Sequence, residues 1–325
     1  MIWHSKKVTV WRAPRSLILG AHERNITVLK CENRTIVIDP GVHVWQRKLL
    51  TSFPSIDEIW LTHAHPDHCA VAGALQSKFG CKLLCSEHEK KIVRNPSQFF
   101  QEEYRAAGSF KDEILPRFLQ PLDSFILRII YGKWASANVD ATFEELGMKQ
   151  YNVEAMQLPG HTTGSIGFCL FENDRNVMVI GDLIQQRVGS EPVLSINLPR
   201  SDLDQAFSSL RKIQSMRPDI LIPAHGEIIE GADVISSAIE NVIQKYHAYE
   251  EKMLLSIEDW QEIPPLAYIA KKVPFTWPQS YPTSFTQKRA LVFAVLKSLY
   301  HKGRLPTRLN GLEKLQSLPP QVKNI

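Results

Sequence analysis

Thr62-His63-Ala64-His65-Pro66-Asp67-His68 is the stretch of this chain that decides both its fold and its chemistry. It places three histidines and an aspartate within six consecutive positions. Three neutral histidines so close together are hard to bury without a shared cation, because each ring nitrogen then needs its own hydrogen-bond partner. This density of ligand side chains is what a hydrolytic site with two metal ions requires. We therefore interpret the segment as the centre of a metal site.

The residues on either side place this segment at the end of a strand. Residues 56–61 are mostly apolar, which predicts a strand, and residues 69–79 have the spacing of a helix that ends at Gly80. Pro66 agrees with this order, since proline interrupts a strand ladder but is tolerated where a loop enters a helix. The ligand-type residues are therefore expected at the carboxyl end of a strand.

Further ligand-type residues stand just past other predicted strands. Runs 26–30 and 35–38 predict a hairpin that ends at Asp39, and later runs at 151–158, 177–180 and 219–223 are followed by His161, Asp182 and His225. Loops at one edge of a sheet can bring together side chains that are far apart in sequence. The remaining histidines lack clustered partners, and we assign them to the surface or to ordinary hydrogen bonds: His4, His22, His43, His88, His247 and His301.

Composition indicates a globular protein without membrane contact. Of the 325 residues 44% are hydrophobic and 22% are charged, and no apolar stretch approaches the roughly eighteen residues needed to cross a bilayer. The start of the sequence has no apolar run followed by a small-residue cleavage site, so we expect a cytoplasmic protein. The five cysteines are an odd set in core-like surroundings, and we expect reduced thiols. Cys81 and Cys85 give only a weak hint of a structural metal.

Two regions differ from the strand-rich pattern. Residues 86–146 have helical periodicity and predict a helical insertion, whose aromatic residues Tyr104, Tyr131 and Trp134 either fill a core or cover a substrate cleft. The formal charge of +4 belongs to the C-terminal part, because residues 245–325 hold 12 Lys and Arg against 6 Asp and Glu. We predict a catalytic domain over 1–245 and a small C-terminal domain over 246–325.

In order and spacing, these motifs resemble those of the metallo-β-lactamase superfamily, specifically its binuclear hydrolase branch typified by glyoxalase II. The matching positions are Asp39 for the first acidic motif, His63, His65, Asp67 and His68 for the HxHxDH signature, and His161, Asp182 and His225 for the later motifs. The resemblance covers roughly residues 8 to 235. It implies an α+β fold, a four-layer αβ/βα sandwich of two mixed β-sheets flanked by helices.

The resemblance also implies a ligand set for two divalent metal ions. His63, His65 and His161 would hold one ion, Asp67, His68 and His225 would hold the other, and Asp182 would bridge them. Asp39 would lie behind the ligands and hydrogen-bond to them. Nitrogen and carboxylate ligands without thiolate suit zinc, our first choice, and also iron or manganese.

The function that follows is hydrolysis by a hydroxide held between two metal ions, with Asp67 orienting this nucleophile. No unique general acid stands among the motifs, which favours a small-molecule ester or thioester, whose leaving group needs little protonation. Asp182 stands where secreted zinc β-lactamases would have cysteine, so antibiotic hydrolysis is not expected. A sulfur dioxygenase and a ligand-sensing DNA-binding regulator are further alternatives.

The C-terminal part resembles the winged-helix domain appended to some members of the superfamily, including an endoribonuclease. Helices are predicted at 247–257, 264–272 and 286–301, followed by a short wing at Arg304-Leu305. The third helix would leave Arg289 and Lys297 facing away from its apolar side. Two interpretations stay open, packing that includes a homodimer and contact with single-stranded RNA. The second makes a single-strand RNA endonuclease the principal rival to the ester hydrolase.

Overall fold

The first sheet carries the signature segment at one edge. The computed structural model describes residues 1–13, 24–42, 51–114, 134–186, 191–273 and 284–316. Within these ranges seven strands follow one another in sequence order across the sheet: β1 Trp3–His4, β2 Val8–Ala13, β3 Arg24–Cys31, β4 Arg34–Ile38, β5 Glu58–Trp60, β6 Lys82–Cys85 and β7 Ala141–Thr142. The pairs from β1 to β4 are antiparallel and those from β4 to β7 are parallel, so β4 and β5 end at the same edge.

The second sheet has the order β15-β14-β11-β10-β9-β8 in the described residues. Its strands are β8 Lys149–Gln150, β9 Val153–Gln157, β10 Ile166–Glu172, β11 Arg175–Val179, β14 Ile220–Ile222 and β15 Ile229–Glu230, and a separate ribbon joins β12 Ile184–Gln185 to β13 Val193–Leu194. Since β9 and β11 both pair antiparallel with β10, and β14 pairs parallel with β11, these three strands point the same way. Their carboxyl ends therefore share one edge.

Helices pack on the outer faces of the two sheets, and one short helix instead contributes Phe143 to the layer between them. They are α1 Pro66–Cys69, α2 Ala72–Phe79, α3 Glu87–Arg94, α4 Gln98–Ala107, α5 Lys111–Ile114, α6 Phe143–Leu146, α7 Leu203–Met216, α8 Ala232–Ile257, α9 Leu266–Lys272, α10 Ser284–His301 and α11 Glu313–Gln316. The alternation of side chains along β5 shows how the layers form. Trp60 packs between the two sheets, whereas Ile59 and Leu61 face the helices on the other side. The result is a helix, sheet, sheet, helix sandwich.

Most predicted elements of the catalytic part are found within a few residues of their predicted bounds. The hairpin is β3 and β4, and its turn residues Glu32 and Asn33 have positive φ angles of 48° and 65°. The helical insertion is present over 87–114, while Tyr131 and the rest of 115–133 lie outside the described residues. Residues 134–142 of the predicted insertion are not helical and end in strand β7. The structure adds strands that were not predicted: β1, β2, β6, β7, β8, β12, β13 and β15. The predicted helix 69–79 is two helices, α1 and α2, and Gly80 ends the second in the left-handed region.

The C-terminal part contains the expected helices but no wing at the predicted place. Helix α8 begins at Ala232, well before the predicted start at 247, so the predicted domain boundary falls inside it. Its buried residues continue at helical spacing through Tyr246. Among residues 246–273 and 284–316 the β pairing is one bridge, Glu262 with Asn310, and Arg304-Leu305 is not a strand. A winged-helix assignment is therefore not confirmed, and the division into two domains stays a prediction.

Two predictions on composition can also be compared with the described residues. Cys31, Cys69, Cys81 and Cys85 are buried free thiols and Cys169 is a partly buried one, which agrees with the expected reduced core cysteines. No helix in the described ranges combines the length and apolar character needed to span a bilayer.

Candidate metal centre

Seven predicted ligands converge from four loops at the common edge of the two sheets. They form two groups, His63 with His65 and His161, and Asp67 with His68, Asp182 and His225. Within each group, one potential ligand atom from each residue lies within 4.8 Å of all the others. The fold brings these residues together because each follows the carboxyl end of a strand, as the sequence predicted. His22 and His43 lie outside the described residues.

The hydrogen bonds of the first group aim lone pairs at one point. His161 Nδ1 lies 2.6 Å from the Ser195 carbonyl oxygen and donates to it, which leaves the lone pair on Nε2. The Thr62 hydroxyl donates to Asp39 and therefore accepts from His63 Nδ1, so the lone pair of His63 is also on Nε2. His161 Nε2 lies 3.1 Å from His63 Nε2 and 2.8 Å from His65 Nδ1. Facing lone pairs at this separation fit a cation between them.

The second group joins carboxylates and imidazoles around Asp182. Asp182 Oδ1 lies 3.4 Å from His68 Nε2 and 3.5 Å from His225 Nε2, while its Oδ2 lies 3.7 Å from His161 Nε2. One carboxylate therefore faces both groups. Asp182 Oδ1 and His68 Nε2 are buried without a hydrogen-bond partner, which is costly for polar atoms unless an ion binds there.

Local backbone features set the direction of these side chains. His65 is the extended residue before α1, and Pro66 occupies the first turn of that helix, so the chain turns between His65 and Asp67. Asp39 has a φ angle of 49° and accepts hydrogen bonds from the backbone and hydroxyl of Thr62 and from His68 Nδ1 at 2.8, 2.6 and 2.9 Å. Asp39 thus holds both ends of the β5 loop, at Thr62 and at His68, from behind the candidate ligands.

Electrostatics keeps the first group neutral and the carboxylates ionised. Burial lowers the pKa of His63 and His65 well below the ordinary imidazole value, and the neighbouring histidines lower it further. Burial likewise lowers the pKa of His161. Burial raises the pKa of Asp182, but the nearby His225 and His68 lower it more, and together they hold it well below the ordinary range. Neutral imidazoles and ionised carboxylates are the forms that bind metal.

The donor set fits a divalent transition metal. It contains five imidazoles and two carboxylates, without thiolate, and such ligands suit zinc, iron and manganese. His68 is a separate case, because burial lowers its pKa while Asp182 and Asp39 raise it well above the ordinary value. The excess of negative charge at this imidazole is the charge that a bound cation would balance.

Arg24 is a functional candidate that the sequence did not reveal. It is the first residue of β3, is nearly buried, and its Nη2 lies 3.2 Å from Asp67 Oδ2. Burial raises the pKa of Asp67, but the positive charge of Arg24 together with His68 and the hydrogen bond from His225 holds the value well below the ordinary range. Asp67 is also the most exposed of the seven ligand side chains, at 15%. It therefore lies on the open side of the site.

The aromatic residues of the insertion lie beside the first group. The Phe99 ring meets the His65 ring edge to face with centroids 5.5 Å apart, and Trp134 contacts Phe99 at the same distance. Tyr104 instead packs against the core around the C-terminal helices. Of the three aromatics singled out in the sequence, Trp134 is near the site and Tyr104 belongs to the core.

A buried carboxyl group lies on α4, in the same insertion. Glu103 is fully buried, its Oε2 accepts a hydrogen bond from the Arg200 backbone N–H at 3.1 Å, and its Oε1 has no hydrogen-bond partner. Burial raises the pKa of Glu103 from 4.5 to about 7, against the opposing charge of Arg200. Glu103 thus holds a proton at pH values where an unfolded chain has lost it.

We expect Glu103→Gln to stabilise the protein at alkaline pH. The folded protein binds the Glu103 proton more tightly than the unfolded chain does. The free energy of unfolding therefore falls as pH rises from about 4.5 through about 7, by roughly 3 kcal/mol in total. Glutamine resembles the protonated carboxyl and does not titrate. Urea unfolding at pH 5 and pH 8.5 should give nearly equal free energies for both proteins at pH 5 and a more stable variant at pH 8.5. Glu102→Gln, at a partly exposed carboxylate paired with Lys91, is the control. An equal difference at both pH values contradicts the prediction.

Comparisons with known proteins agree with the fold and the motifs. The family model described as "Metallo-beta-lactamase superfamily" matches residues 19–225. Hydroxyacylglutathione hydrolase GloC of Haemophilus influenzae is 29% identical over 202 residues, which cover 60% of this chain and 81% of that protein. Crystal structures of a metallo-beta-lactamase family protein from Thermus thermophilus and of a beta-lactamase domain protein from Burkholderia ambifaria give TM-scores of 0.67 and 0.62 at 16% and 17% identity. They cover 91% and 92% of this chain, and this chain covers 94% and 87% of theirs. The predicted sandwich fold is thereby confirmed.

Proposed function

The chain belongs to the metallo-beta-lactamase superfamily as a metallo-hydrolase, and we propose that it uses two divalent metal ions to cleave a thioester or ester bond of a small molecule. The observation that carries this proposal is the position of Asp182, whose two carboxylate oxygens face the two ligand groups. The similarity to a hydroxyacylglutathione hydrolase supports a thioester in particular.

In this proposal His63, His65 and His161 hold one ion, Asp67, His68 and His225 hold the other, and Asp182 is shared. Zinc is our first choice of metal. A bound pair of divalent cations supplies an activated water and polarises the scissile carbonyl. The protein contributes position and charge. Asp67 lies at the open side of the site, where its carboxylate can accept a hydrogen bond from the attacking water, and Arg24 contributes to keeping that carboxylate ionised.

The leaving group sets the substrate class. A thiolate or activated alkoxide leaves without a strong general acid, and the described ligand groups contain no carboxylic acid or histidine set aside for protonation. Trp134 is partly exposed and packs on the buried Phe99 ring beside His65, so an acyl group can pack against an apolar surface there. Both features favour a small acyl thioester over a phosphodiester.

The ribonuclease alternative has less support, because three basic side chains on or just after α10 contact groups within the chain. Lys297 Nζ lies 3.1 Å from Asp202 Oδ2, and Lys302 Nζ lies 2.6 Å from Glu250 Oε1. Arg289 donates to the backbone carbonyl oxygen of Glu113. These cations are engaged within the fold, which favours packing over RNA contact for this helix.

A substrate panel tests the proposal. Purified protein would be assayed with S-lactoylglutathione, a p-nitrophenyl ester, a lactone, bis-p-nitrophenyl phosphate and a single-stranded RNA, with Asp67→Ala as the matched inactive variant. We expect thioester turnover that is abolished by chelation and insensitive to salt. RNA cleavage that falls steeply with rising salt, without thioester turnover, would overturn the substrate assignment.

A further inference from the structure

Glu89 is a buried charge that the hydrolytic chemistry does not use. It lies on α3, is 0% exposed, and sits in a stretch, Glu87-His88-Glu89-Lys90-Lys91, that reads like an exposed helix face. Its Oε1 accepts hydrogen bonds from Arg200 Nη2 at 2.6 Å and from Thr162 Oγ1 at 2.8 Å. Its Oε2 accepts from the backbone N–H of Ala64 at 3.2 Å.

These contacts join the loops that carry the first ligand group. Ala64 stands between His63 and His65, and Thr162 follows His161 directly. One carboxylate therefore ties the β5 loop to the β9 loop, close to all three imidazoles. Gly164 lies where the β9 loop passes over this carboxylate, and a Cβ there would come within 2.8 Å of Glu89 Oε1. The close approach leaves the Glu89 side chain little freedom to move.

Asn25 occupies an equivalent place beside His225. It is 4% exposed, and its Nδ2 donates to the carbonyl oxygens of Pro223 and Gly226, both at 2.8 Å. Its backbone N–H donates to the Ala224 carbonyl oxygen at 2.7 Å. Asn25 therefore holds the loop between β14 and β15 on both sides of His225. Gly226 has a φ of 102°, and a Cβ there would lie 2.1 Å from the Gln186 carbonyl oxygen, so the loop has little freedom to shift.

We infer that Glu89 and Asn25 are separate positioning residues for the two metal ions, Glu89 for the ion at His63, His65 and His161 and Asn25 for the ion that includes His225. The inference rests on the proposed metal-binding function. Groups that orient ligands in this way typically contribute 10- to 100-fold to metal affinity. Because the two sets of hydrogen bonds share no residue, the loss of either one should affect one ion only.

The test measures Co²⁺ affinity at each position separately. The full-length His225→Ala protein keeps the complete first group, and His161→Ala keeps the complete second group. We expect Glu89→Gln to weaken Co²⁺ binding about 10- to 100-fold in the His225→Ala background and less than about threefold in the His161→Ala background. Asn25→Ala should give the opposite pattern. Binding would be followed by competition with a chelating indicator.

Two further variants separate positioning from general damage. Thr162→Val breaks one hydrogen bond to Glu89 without changing charge, and should weaken Co²⁺ binding in the same background as Glu89→Gln. Glu250→Gln alters another fully buried carboxylate, paired with Lys302 in the C-terminal part, and should lower thermal stability without changing either affinity. Equal losses in both backgrounds, or unchanged affinities, would overturn the inference. Absence of Co²⁺ binding in the unsubstituted protein would instead refute the proposed function.

Discussion

Asp182→Ala is expected to lower thioester turnover about a thousandfold and to reduce metal content from two ions per chain to one. Among the described residues, Asp182 is the carboxylate whose oxygens lie within 4 Å of imidazoles from both ligand groups. In the proposed site with two cations, its loss would remove the shared ligand and one negative charge. Two-metal catalysis supplies several kcal/mol of transition-state stabilisation, and each 1.36 kcal/mol corresponds to a factor of ten.

Steady-state kinetics and elemental analysis of the same preparations would measure both effects. Asp259→Ala, at an exposed carboxylate beyond the end of α8, is the control and should retain full turnover and two ions. A variant at position 182 that kept wild-type turnover would show that the carboxylate does not join the two ions. If Asp182→Ala lost turnover but still bound two ions, the carboxylate of Asp182 would have a catalytic role other than bridging the ions.

Exhaustive chelation is expected to abolish turnover and to lower Tm by roughly 5–10 °C. An ion present at a thousand times its Kd stabilises the folded state by about 4 kcal/mol, which in a chain of this size corresponds to several degrees. Without ions the chain retains buried atoms without hydrogen-bond partners, including Asp182 Oδ1 and His68 Nε2, which adds to the cost. Differential scanning calorimetry before and after chelation would measure the shift.

Readdition of single metals completes this experiment. The ion that restores both turnover and Tm identifies the metal that the site uses, with zinc as our expected result and iron and manganese as the alternatives. The control is the double variant Asp67→Ala with His68→Ala, which should respond much less to chelation. A native protein with unchanged Tm and turnover after complete metal removal would contradict the metal assignment.

The sequence predicts those parts of the fold that have local signals. The β3–β4 hairpin shows β-branched runs around Glu32 and Asn33, and α2 ends at Gly80, which adopts the left-handed conformation. The candidate ligands could be selected from the sequence because each stands shortly after a predicted strand. Strand β6 lacks such a signal, since its four residues show no alternation and merge with the following helix. The predicted start of the helix at 247 was also wrong. The change in charge near residue 245 was interpreted as a domain boundary, whereas the helical spacing of buried residues in α8 continues across it.

The supporting residues could not be predicted because their contacts are long-range. Glu89 is 73 positions from Thr162, and Asn25 is 198 positions from Pro223. Arg24 reaches Asp67 across 43 positions. A charged residue in a charged helix segment is usually solvated, so burial of Glu89 becomes evident only after the loops are in place. The candidate ligands can be recognised in the sequence from their residue type and spacing. The residues that hydrogen-bond to the ligand loops cannot.

The most direct test of the central claim is a crystal structure of the metal-loaded protein with anomalous data collected at the absorption edge of the bound metal. We predict two anomalous peaks about 3.5–4 Å apart, one among His63, His65 and His161 and the other among Asp67, His68 and His225, with Asp182 contacting both. The absence of peaks at these seven side chains, in protein that turns over a thioester, would contradict the account.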